Sequence, residues 1–289
     1  MGGGRGMHCL ITGATRGLGR TLANAFWQAG ASLALTARQS DALERLVADL
    51  GKRSGQEVIT VTEDLANPQA AGKIVNSIEG KFPRLDVLIN NAAIQGPIGP
   101  LWENDWKEWL KTIQVDLLSP IALCRAVSPW MIKRGGGSII NLSGGGATSP
   151  RANFSAYATA KTGLVRFSET LAEELRPYNV RVNCIAPGAM NTAMLNEVVD
   201  RGADASGQKE YAQAVKVQQD GGASIQRVAQ LCLFLVSDAA RDISGKLISA
   251  VWDPWASLPK RIDELSSSDI YTLRRIVPKD RGKAWGNDP

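Results

Sequence analysis

Short apolar runs alternate with longer segments of helical periodicity along most of the chain. The short runs are rich in aliphatic and β-branched residues, and the longer segments place apolar residues three and four positions apart. The short runs predict strands over residues 8–12, 32–36, 58–61, 87–90, 138–142, 180–185 and 246–251. The longer segments predict helices over residues 18–29, 40–50, 68–82, 106–133, 153–174 and 224–235.

The order of these elements predicts the fold class. Strands that are almost continuously apolar are typical of a parallel sheet covered by helices on both faces. We therefore expect an α/β, doubly wound Rossmann fold, with a seven-stranded parallel sheet flanked by helices. No internal repeat or low-complexity linker divides the chain, which favours one domain over residues 1–251. Small and polar residues over about 190–222 predict an excursion that acts as a lid over a cleft.

The C-terminal extension, residues 252–289, lies outside the alternating pattern. The last predicted strand runs into Val251-Trp-Asp-Pro-Trp255. Residues 266–275 predict a capped amphipathic helix. We expect the extension to pack on its own domain or on a neighbouring subunit. A further hypothesis is that it borders the substrate pocket and limits the size of that pocket.

Composition narrows the class of protein. A length of 289 residues, with 44% hydrophobic and 21% charged residues, is ordinary for a globular protein. The first residues form no signal peptide, and no stretch approaches the roughly 20 apolar residues that span a bilayer, so we expect a cytoplasmic protein without a membrane partner. The formal charge of +5 comes without a basic stripe or a recognisable module, which argues against nucleic acid as a partner.

Metal and hydrolytic chemistry lack the residues that they require. Cys9, Cys124, Cys184 and Cys232 are isolated in apolar contexts and predict reduced core thiols rather than metal ligands. His8, the only histidine, stands at the head of the first strand, where a structural role is expected. We therefore predict neither a metal site nor a Ser-His-Asp triad.

A glycine-rich turn follows the first strand and opens the first helix. It places Gly13, Gly17 and Gly19 in the sequence Thr12-Gly-Ala-Thr-Arg-Gly-Leu-Gly19. Glycines let the backbone turn tightly, and a dinucleotide pyrophosphate can then approach the N-terminus of the helix. Without its strand and helix, such a turn would be a weak signal, because ordinary strand–helix loops also contain glycine.

The end of the second strand distinguishes between two cofactors. Folds that select NAD place an acidic residue there for the ribose hydroxyls, but this strand ends in Leu35-Thr-Ala-Arg38. Arg38 and Arg16 can instead hold a 2′-phosphate, because a planar guanidinium matches the geometry of a phosphate. The alternative is that both arginines are merely solvated. We predict NADP(H) in preference to NAD(H).

A tyrosine and a lysine four residues apart indicate the chemistry. In Tyr157-Ala-Thr-Ala-Lys161 the two side chains share one helix face, so phenol and ammonium point into the same cleft. At about 4 Å and an effective dielectric of about 20, their attraction is on the order of 4 kcal/mol. We therefore expect the lysine to lower the pKa of Tyr157, which would make the phenol a usable acid or base near neutral pH.

Together these motifs resemble those of the short-chain dehydrogenase/reductase superfamily, in its compact single-domain branch with TGxxxGxG and YxxxK motifs. The match continues through Asp64-Leu65, Asn90-Asn91-Ala92-Ala93 and Pro187-Gly188 followed by Thr192, and it spans residues 10 to about 252. The predicted cofactor-binding residues are Gly13, Thr15, Arg16, Gly17, Leu18, Gly19, Arg38, Asp64, Leu65, Asn91, Ala92, Tyr157, Lys161, Pro187, Gly188 and Thr192.

The resemblance also implies a mechanism. Tyr157 would give a proton to a carbonyl oxygen while the nicotinamide delivers hydride to the carbon, and a serine would hydrogen-bond the same oxygen. The position where the family usually has this serine is Gly144. We expect Ser143 to take the role, because the glycines that follow it can absorb extra backbone. Thr148 and Ser149 are weaker substitutes, and a strand-end role for Ser143 stays open.

A second departure from the family is Asp116, which stands where an asparagine typically supports a water relay to the lysine. The backbone carbonyl supplies part of that role, so we include Asp116 among the predicted catalytic residues with Tyr157, Lys161 and Ser143. Its extra carboxylate near Lys161 is expected to shift the pH profile.

The leading hypothesis is an NADPH-dependent oxidoreductase that reduces a ketone or aldehyde, with oxidation of the alcohol as its reverse reaction. The alternative is a non-catalytic NADP(H)-binding protein with a redox-sensing or regulatory role. Trp102, Trp106 and Trp109 fall at helical spacing, which favours core packing or a subunit interface over a substrate platform. The corresponding helix commonly joins subunits in the family, so the resemblance implies a homodimer or homotetramer.

Overall fold

Seven parallel strands form the centre of the molecule in a computed structural model that describes residues 6–285. The spatial order of the strands is β3-β2-β1-β4-β5-β6-β7, which confirms the predicted doubly wound sheet. Residues 1–5 and 286–289 lie outside the described residues. The predictions about a signal peptide and about the C-terminal extension rest partly on them. The strands are β1 His8–Thr12, β2 Ser32–Ala37, β3 Val58–Thr62, β4 Val87–Asn90, β5 Gly137–Leu142, β6 Val180–Ala186 and β7 Leu247–Ser249.

Helices cover both faces of the sheet. In β1, Ile11 packs into the cluster of the first and tenth helices, whereas its neighbour Leu10 packs into the cluster of the third and fifth. Successive strand residues point to opposite faces, so both must be apolar when both faces are covered. The helices are α1 Gly17–Gln28, α2 Ser40–Leu50, α3 Ala70–Ile78, α4 Trp106–Ile113, α5 Ser119–Lys133, α6 Ser155–Leu175, α7 Ala193–Asp200, α8 Gly202–Ser206, α9 Gln208–Asp220, α10 Ile225–Val236 and α11 Ile262–Ser266.

The predicted helix over 106–133 is divided. A π-helical turn, Gln114–Leu118, separates α4 from α5 and carries Asp116 into the protein interior. Contrary to our expectation, this run, Trp106–Lys133, is long and apolar enough by length and composition to cross a membrane, and it is the one such helix in the described part of the chain. Core packing explains the apolar composition of this run, because Leu123, Cys124 and Val127 are fully buried against the sheet. Core helices of globular proteins show the same composition.

The three tryptophans do not share one helix face. Trp102 belongs to a separate 3₁₀ turn, Leu101–Glu103, and its side chain is 85% exposed. Trp106 and Trp109 lie in α4 and stack with their rings 4.9 Å apart. The expectation of core packing is wrong for Trp102 and Trp106, since both are exposed, whereas Trp109 is half-buried and donates to the Ser155 hydroxyl at 3.1 Å.

The cysteines and the histidine make structural contacts: Cys124 accepts the side-chain amide of Asn90 at 3.5 Å, and the thiol of Cys184 donates to the hydroxyl of Ser168 at 3.2 Å. Each of the four cysteines is buried and free of a disulfide. The backbone amide of His8 donates to Asp86 at 2.8 Å, and its ring lies 4.7 Å from that of Phe82. These contacts fix the start of β1 and give His8 a structural role.

Residues 190–222, which we call the excursion, leave the sheet after β6 and return before α10. They form three helices, α7, α8 and α9, rather than an irregular loop. An antiparallel bridge between Met190 and Gly222 closes the base of the excursion, and the amide of Ala223 donates to the carbonyl of Ala189 at 2.7 Å. The two ends of the excursion are therefore held together at its base.

The predicted helix over 266–275 does not form. Instead α11 ends at Ser266, and the hydroxyls of Ser267 and Ser268 donate back to the carbonyls of Asp263 and Glu264 at 2.6 Å. The serines were interpreted as the start of a helix, but they satisfy carbonyls at the end of one. Beyond them, Tyr271 adopts a left-handed backbone conformation, φ 60°, that breaks helical geometry.

The extension covers the free edge of the sheet instead. The amide of Leu247 in β7 donates to the carbonyl of Tyr271 at 2.8 Å, and the Lys246 ammonium donates to the carbonyls of Ser268 and Ile270. An unpaired edge strand invites association with other chains, and a covering segment prevents it. The described residues of the extension do not line the cleft discussed below, so they give no support to the hypothesis that the extension limits the substrate pocket.

Candidate active site

A cleft of about 380 Å³ lies at the carboxyl ends of the strands, where the strand order reverses between β1 and β4. Ligands of doubly wound sheets bind at this switch point. The cleft has a glycine-turn end, residues 13–19, 36–39 and 63–65, and a tyrosine end around Tyr157. The predicted residues that line it are Gly13, Thr15, Arg16, Gly17, Leu18, Gly19, Arg38, Asp64, Leu65, Asn91, Ala92, Ser143, Tyr157, Lys161, Pro187 and Thr192.

Two predicted residues are not part of the lining. Gly188 turns the chain after β6 in a left-handed conformation, φ 81°, and a Cβ there would lie 2.8 Å from the Val251 side chain. A glycine is therefore required by packing at that position rather than by a ligand. Asp116 lies outside the cleft, with its carboxylate 3.6 Å from the ammonium of Lys161.

The glycine turn brings β1, α1 and β4 into close contact. A Cβ at Gly19 would overlap the carbonyl oxygen of Gly13, so the first turn of α1 can approach the strand only without a side chain there. Gly13 has φ 64°, and a Cβ on it would lie 2.9 Å from the Cα of Ala92. The N-terminus of α1 therefore opens directly onto the cleft, which is an arrangement that binds phosphate groups.

Asn91 holds this turn in place. Its side-chain amide donates to the carbonyls of Thr12 at 2.9 Å and Gly13 at 3.2 Å. The backbone amides of Asn91 and Ala92 both donate to the Thr12 hydroxyl at 3.0 Å. The carboxyl ends of β1 and β4 are thus connected by four hydrogen bonds, which fix the floor of the cleft.

The rim of the glycine-turn end carries both signs of charge. Arg16 and Arg38 are exposed at the cleft. On the opposite side, Asp64 accepts the amide of Ala66 at 2.9 Å, and this bond fixes the loop after β3. Glu63, which the sequence did not single out, also lines the cleft and lies 3.6 Å from Lys73. The two exposed guanidinium groups suit a dianionic phosphate.

The tyrosine end is buried and tightly connected. Tyr157 and Lys161 lie one turn apart on α6, and the ammonium nitrogen is 5.6 Å from the centre of the phenol ring. That nitrogen donates to the carbonyl of Leu142 at 3.1 Å and lies 3.6 Å from Oδ2 of Asp116. Oδ1 of Asp116 accepts the amide of Ile94 at 2.9 Å. The carboxylate therefore joins the loop after β4 to the lysine.

Burial changes the expected acidity of these groups. It raises the pKa of Tyr157 above its ordinary value, although Lys161 and Arg151 lower it and Asp116 raises it further. The expectation that Lys161 would leave this pKa lowered is wrong, because removing the phenolate from water outweighs the attraction of the ammonium. Burial also raises the pKa of Asp116 to about 6, against the lowering effect of Lys161.

The triple-glycine loop, residues 143–154, leads from β5 to α6 and explains the displaced serine. A Cβ at Gly144 would overlap the hydroxyl oxygen of Tyr157, so a serine at that position would require the tyrosine side chain to move. Ser143 is buried and lines the cleft, and its hydroxyl has no hydrogen-bond partner among residues 6–285. Thr148 and Ser149 are exposed and do not line the cleft.

Other residues of the site carried no motif. Met190 and Met194 of the excursion and Lys111 of α4 line the cleft. Arg151 was also missed, although it lies between the excursion and Tyr157. A charged residue between the triple glycine and the tyrosine was the available signal for Arg151. No local pattern marks the methionines, because their position depends on how the excursion folds back.

Comparisons with known proteins agree with this geometry. The family model of the short chain dehydrogenases matches residues 7–202, more than half of the chain. The short chain dehydrogenase mpl6 of Monascus purpureus is 34% identical over 281 residues, which cover 94% of this chain and 89% of that protein. Dehydrogenase/reductase SDR family member 4 of Homo sapiens is 33% identical over 184 residues, covering 64% of this chain and 66% of that protein.

Solved structures share the same fold. L-sorbose reductase from Gluconobacter frateurii, complexed with NADPH and L-sorbose, superimposes with a TM-score of 0.77 at 30% identity, over 86% of this chain and 97% of its own. An NAD⁺-bound xylitol dehydrogenase gives a TM-score of 0.77 at 27% identity, over 85% and 98%. Sequence and structure agree that this chain belongs to the short-chain dehydrogenase/reductase superfamily, whose members are oxidoreductases that act on CH–OH groups with a nicotinamide cofactor.

Proposed function

We propose that this protein reduces a ketone or an aldehyde to an alcohol, with NADPH as the hydride donor. One observation carries the proposal: Tyr157 and Ser143, whose hydroxyl has no partner among residues 6–285, line one end of the cleft whose other end presents Arg16 and Arg38. A proton donor, an oxyanion donor and a phosphate site along one cleft are what carbonyl reduction requires.

The residues present fit a nicotinamide dinucleotide. The glycine turn has no side chain that would keep a pyrophosphate from the N-terminus of α1. By analogy with the family, Asp64 and Leu65 hold the adenine, Asn91 and Ala92 line the riboses, and Pro187 and Thr192 border the nicotinamide with Gly188 shaping their turn. Lys161 binds the nicotinamide ribose. When bound, the cofactor supplies the hydride.

Tyr157 donates the proton. Burial keeps its pKa raised, so the phenol is protonated at neutral pH and is suited to act as the acid in reduction. Lys161 places a positive charge beside the phenolate that forms, which stabilises it as the proton leaves. The Ser143 hydroxyl donates a hydrogen bond to the same substrate oxygen as negative charge develops there.

Asp116 positions Lys161 rather than touching the substrate. Its carboxylate lies 3.6 Å from the ammonium and is held by the amide of Ile94 at 2.9 Å. The lysine is therefore held from two sides, by this carboxylate and by the carbonyl of Leu142. A lysine fixed in this way keeps its charge in line with the phenol.

The preference for NADPH over NADH rests on the end of β2. No acidic residue stands at positions 36–38 to bind ribose hydroxyls, and Arg38 is exposed there. The related structures include both an NADPH complex and an NAD⁺ complex, so the fold accommodates either cofactor. Comparing kcat/KM for NADPH and NADH tests the preference, and equal values would contradict it.

The reaction is tested by following NADPH oxidation with purified protein and a panel of carbonyl compounds. The panel includes ketoses and cyclic diketones, because related structures are an L-sorbose reductase and a levodione reductase. We expect turnover with at least one compound and none by Tyr157→Phe. Binding of NADPH without oxidation by any carbonyl would favour the non-catalytic, redox-sensing alternative.

We extend the proposal to assembly and location. The exposed apolar side chains of Leu101, Trp102, Trp106 and Leu110 favour a homodimer or homotetramer in which this surface is covered. Sedimentation equilibrium tests it, since a monomer at micromolar concentration would contradict it. Four free, buried cysteines suit a reducing compartment, in keeping with a cytoplasmic enzyme.

A further inference from the structure

An ion pair joins the triple-glycine loop to the excursion. The Nε of Arg151 donates to Oε2 of Glu210 at 2.8 Å, and their side chains are only 15% and 30% exposed. Arg151 lies in the loop between β5 and α6, and Glu210 lies in the first turn of α9. The two residues belong to segments that are distant in sequence, so this contact bears on how the excursion is held against the loop.

Arg151 also contacts the aromatic residues beside the site. Its guanidinium carbon lies 3.7 Å from the centre of the Phe154 ring and 5.8 Å from that of Tyr157. Phe154 is fully buried and packs with Val198 and Ala214 of the excursion. One guanidinium therefore pairs with a carboxylate of the excursion, packs on the aromatic residue against which the excursion rests and lies near the ring of Tyr157.

The charges that act on Tyr157 come from three elements. Lys161 lies on α6, Asp116 on the π-helical turn and Arg151 on the triple-glycine loop. The positive charges of Lys161 and Arg151 favour the phenolate, and the negative charge of Asp116 disfavours it. Glu210 stands directly behind Arg151 and partly neutralises it, so the effect of Arg151 depends on the excursion.

We propose that Arg151 is a positioning residue: its ion pair with Glu210 fastens the excursion to the triple-glycine loop and sets how much positive charge Tyr157 experiences. The catalytic consequence rests on the proposed function, but the coupling itself is a property of the fold. On this proposal, a single contact both fastens the excursion and changes the charge near Tyr157.

The coupling has a signature that a merely structural contact would lack. Removing either partner frees α9, so Arg151→Gln and Glu210→Gln both loosen the excursion. Their effects on Tyr157 are opposite in sign. Without Arg151, the phenolate loses a favourable charge and the pKa of Tyr157 rises; without the carboxylate of Glu210, the charge of Arg151 is no longer neutralised and that pKa falls.

Two measurements on the full chain test this, and neither depends on turnover. Hydrogen–deuterium exchange at neutral pH, read by mass spectrometry, reports opening of α9. Tyrosinate absorbance against pH reports Tyr157, after subtraction of the same titration for Tyr157→Phe, since the chain has four tyrosines. Arg45→Gln serves as the matched control because it breaks an ion pair of the same 2.8 Å length, to Asp41, on the exposed face of α2.

We expect exchange in α9 to rise roughly two- to tenfold in both variants and to stay unchanged in Arg45→Gln. The Tyr157 titration should move to higher pH in Arg151→Gln and to lower pH in Glu210→Gln. Arg151→Lys, which keeps the charge, should restore the titration more fully than it restores protection of α9. Unchanged exchange in both variants, or titrations that move in the same direction, would overturn the proposal.

A failure of the proposed function would look different. If the protein turned over no carbonyl compound, the exchange and titration measurements would still test the coupling between Arg151 and Glu210. If carbonyl reduction held but the two variants behaved like Arg45→Gln, the coupling alone would be wrong.

Discussion

At the glycine-turn end of the cleft, Arg16 and Arg38 are exposed to solvent, whereas at the tyrosine end Lys161 and Asp116 are both buried. The exposed arginines share this end of the cleft with Glu63 and Asp64. The buried groups are joined, because Asp116 contacts Lys161, and Lys161 acts on Tyr157. The same cleft therefore holds charges of two kinds, which differ in how far they depend on their neighbours.

This difference has a physical consequence. Exposed charges are screened by water and salt, so each contributes a modest and nearly independent amount to binding. Buried charges depend on one another and on the few hydrogen bonds that they make, so loss of one leaves its partner in a less favourable environment. Substitutions at the tyrosine end should therefore affect turnover and its pH dependence jointly. Substitutions at the glycine-turn end should affect cofactor affinity moderately and in a salt-dependent way.

The largest expected effect is that of Tyr157→Phe. Loss of the proton donor should lower kcat for carbonyl reduction by about 10²- to 10⁴-fold, because a positioned acid contributes that much. Affinity for NADPH, measured by fluorescence titration, should change little, since the glycine-turn end is intact. Tyr178→Phe, at a tyrosine that is 47% exposed in the turn after α6, should leave both quantities unchanged. Equal activity of wild type and Tyr157→Phe would contradict the mechanism.

Ser143→Ala should have the next largest effect. Removing one donor to a developing oxyanion lowers kcat by about 10²- to 10³-fold in enzymes of known mechanism. The hydroxyl of Ser143 has no partner among residues 6–285, so its loss should leave thermal stability almost unchanged. Ser149→Ala, an exposed hydroxyl of the same loop, is the matched control. Near-full activity of Ser143→Ala would show that the hydroxyl serves only the end of β5.

The two ends also differ in how well the sequence predicted them. At the glycine-turn end, Gly13 and Gly19 are required by contacts with neighbouring backbone, and such a requirement is visible as a local motif. Strand positions were also visible in the local sequence, because burial on both faces of the sheet imposes continuous apolar runs. Local spacing also predicted the shared position of Tyr157 and Lys161 on α6.

The errors arose where tertiary surroundings decide the outcome. Spacing alone predicted a lowered pKa for Tyr157, but burial, which no motif records, dominates. Serines at 266–268 are compatible with either end of a helix, and only their bonds to α11 distinguish the two. Arg151 gained its importance from Glu210, a residue distant in sequence that the folded excursion brings beside it.

Arg38→Ala tests whether an exposed charge of the glycine-turn end contributes to cofactor binding independently of its neighbours. We expect affinity for NADPH to fall roughly ten- to hundredfold, since a charged hydrogen bond to phosphate is lost. Affinity for NADH, which lacks the 2′-phosphate, should change much less. The wild-type preference should weaken as salt is added, because an exposed charge is screened. Arg20→Ala, which removes an exposed arginine of α1 paired with Asp49, is the control. Equal losses for both cofactors would contradict a 2′-phosphate role.

The smallest expected change, and the one that compares the two kinds of charge most directly, is the pH dependence of Asp116→Asn. The negative charge of Asp116 raises the pKa of Tyr157, so its removal should lower that pKa. Reduction requires the protonated phenol, and the alkaline loss of kcat/KM should therefore begin at lower pH in the variant. The change at neutral pH should be only a few-fold, because the asparagine side chain keeps the position and most of the shape of the carboxylate.

The acidic side of the same profile gives the sharper test. Burial raises the pKa of Asp116 to about 6, so below that pH the wild-type carboxyl is itself neutral. Wild type and Asp116→Asn then carry the same charge beside Lys161, and their kcat/KM values should converge, whereas above pH 6 they should separate. The measurement is kcat/KM with saturating NADPH over a pH range of about 5 to 10. A wild-type to variant ratio of kcat/KM that stayed constant across this range would mean that the carboxylate acts by its shape alone. The buried tyrosine end would then lack the electrostatic dependence that distinguishes it from the exposed arginines.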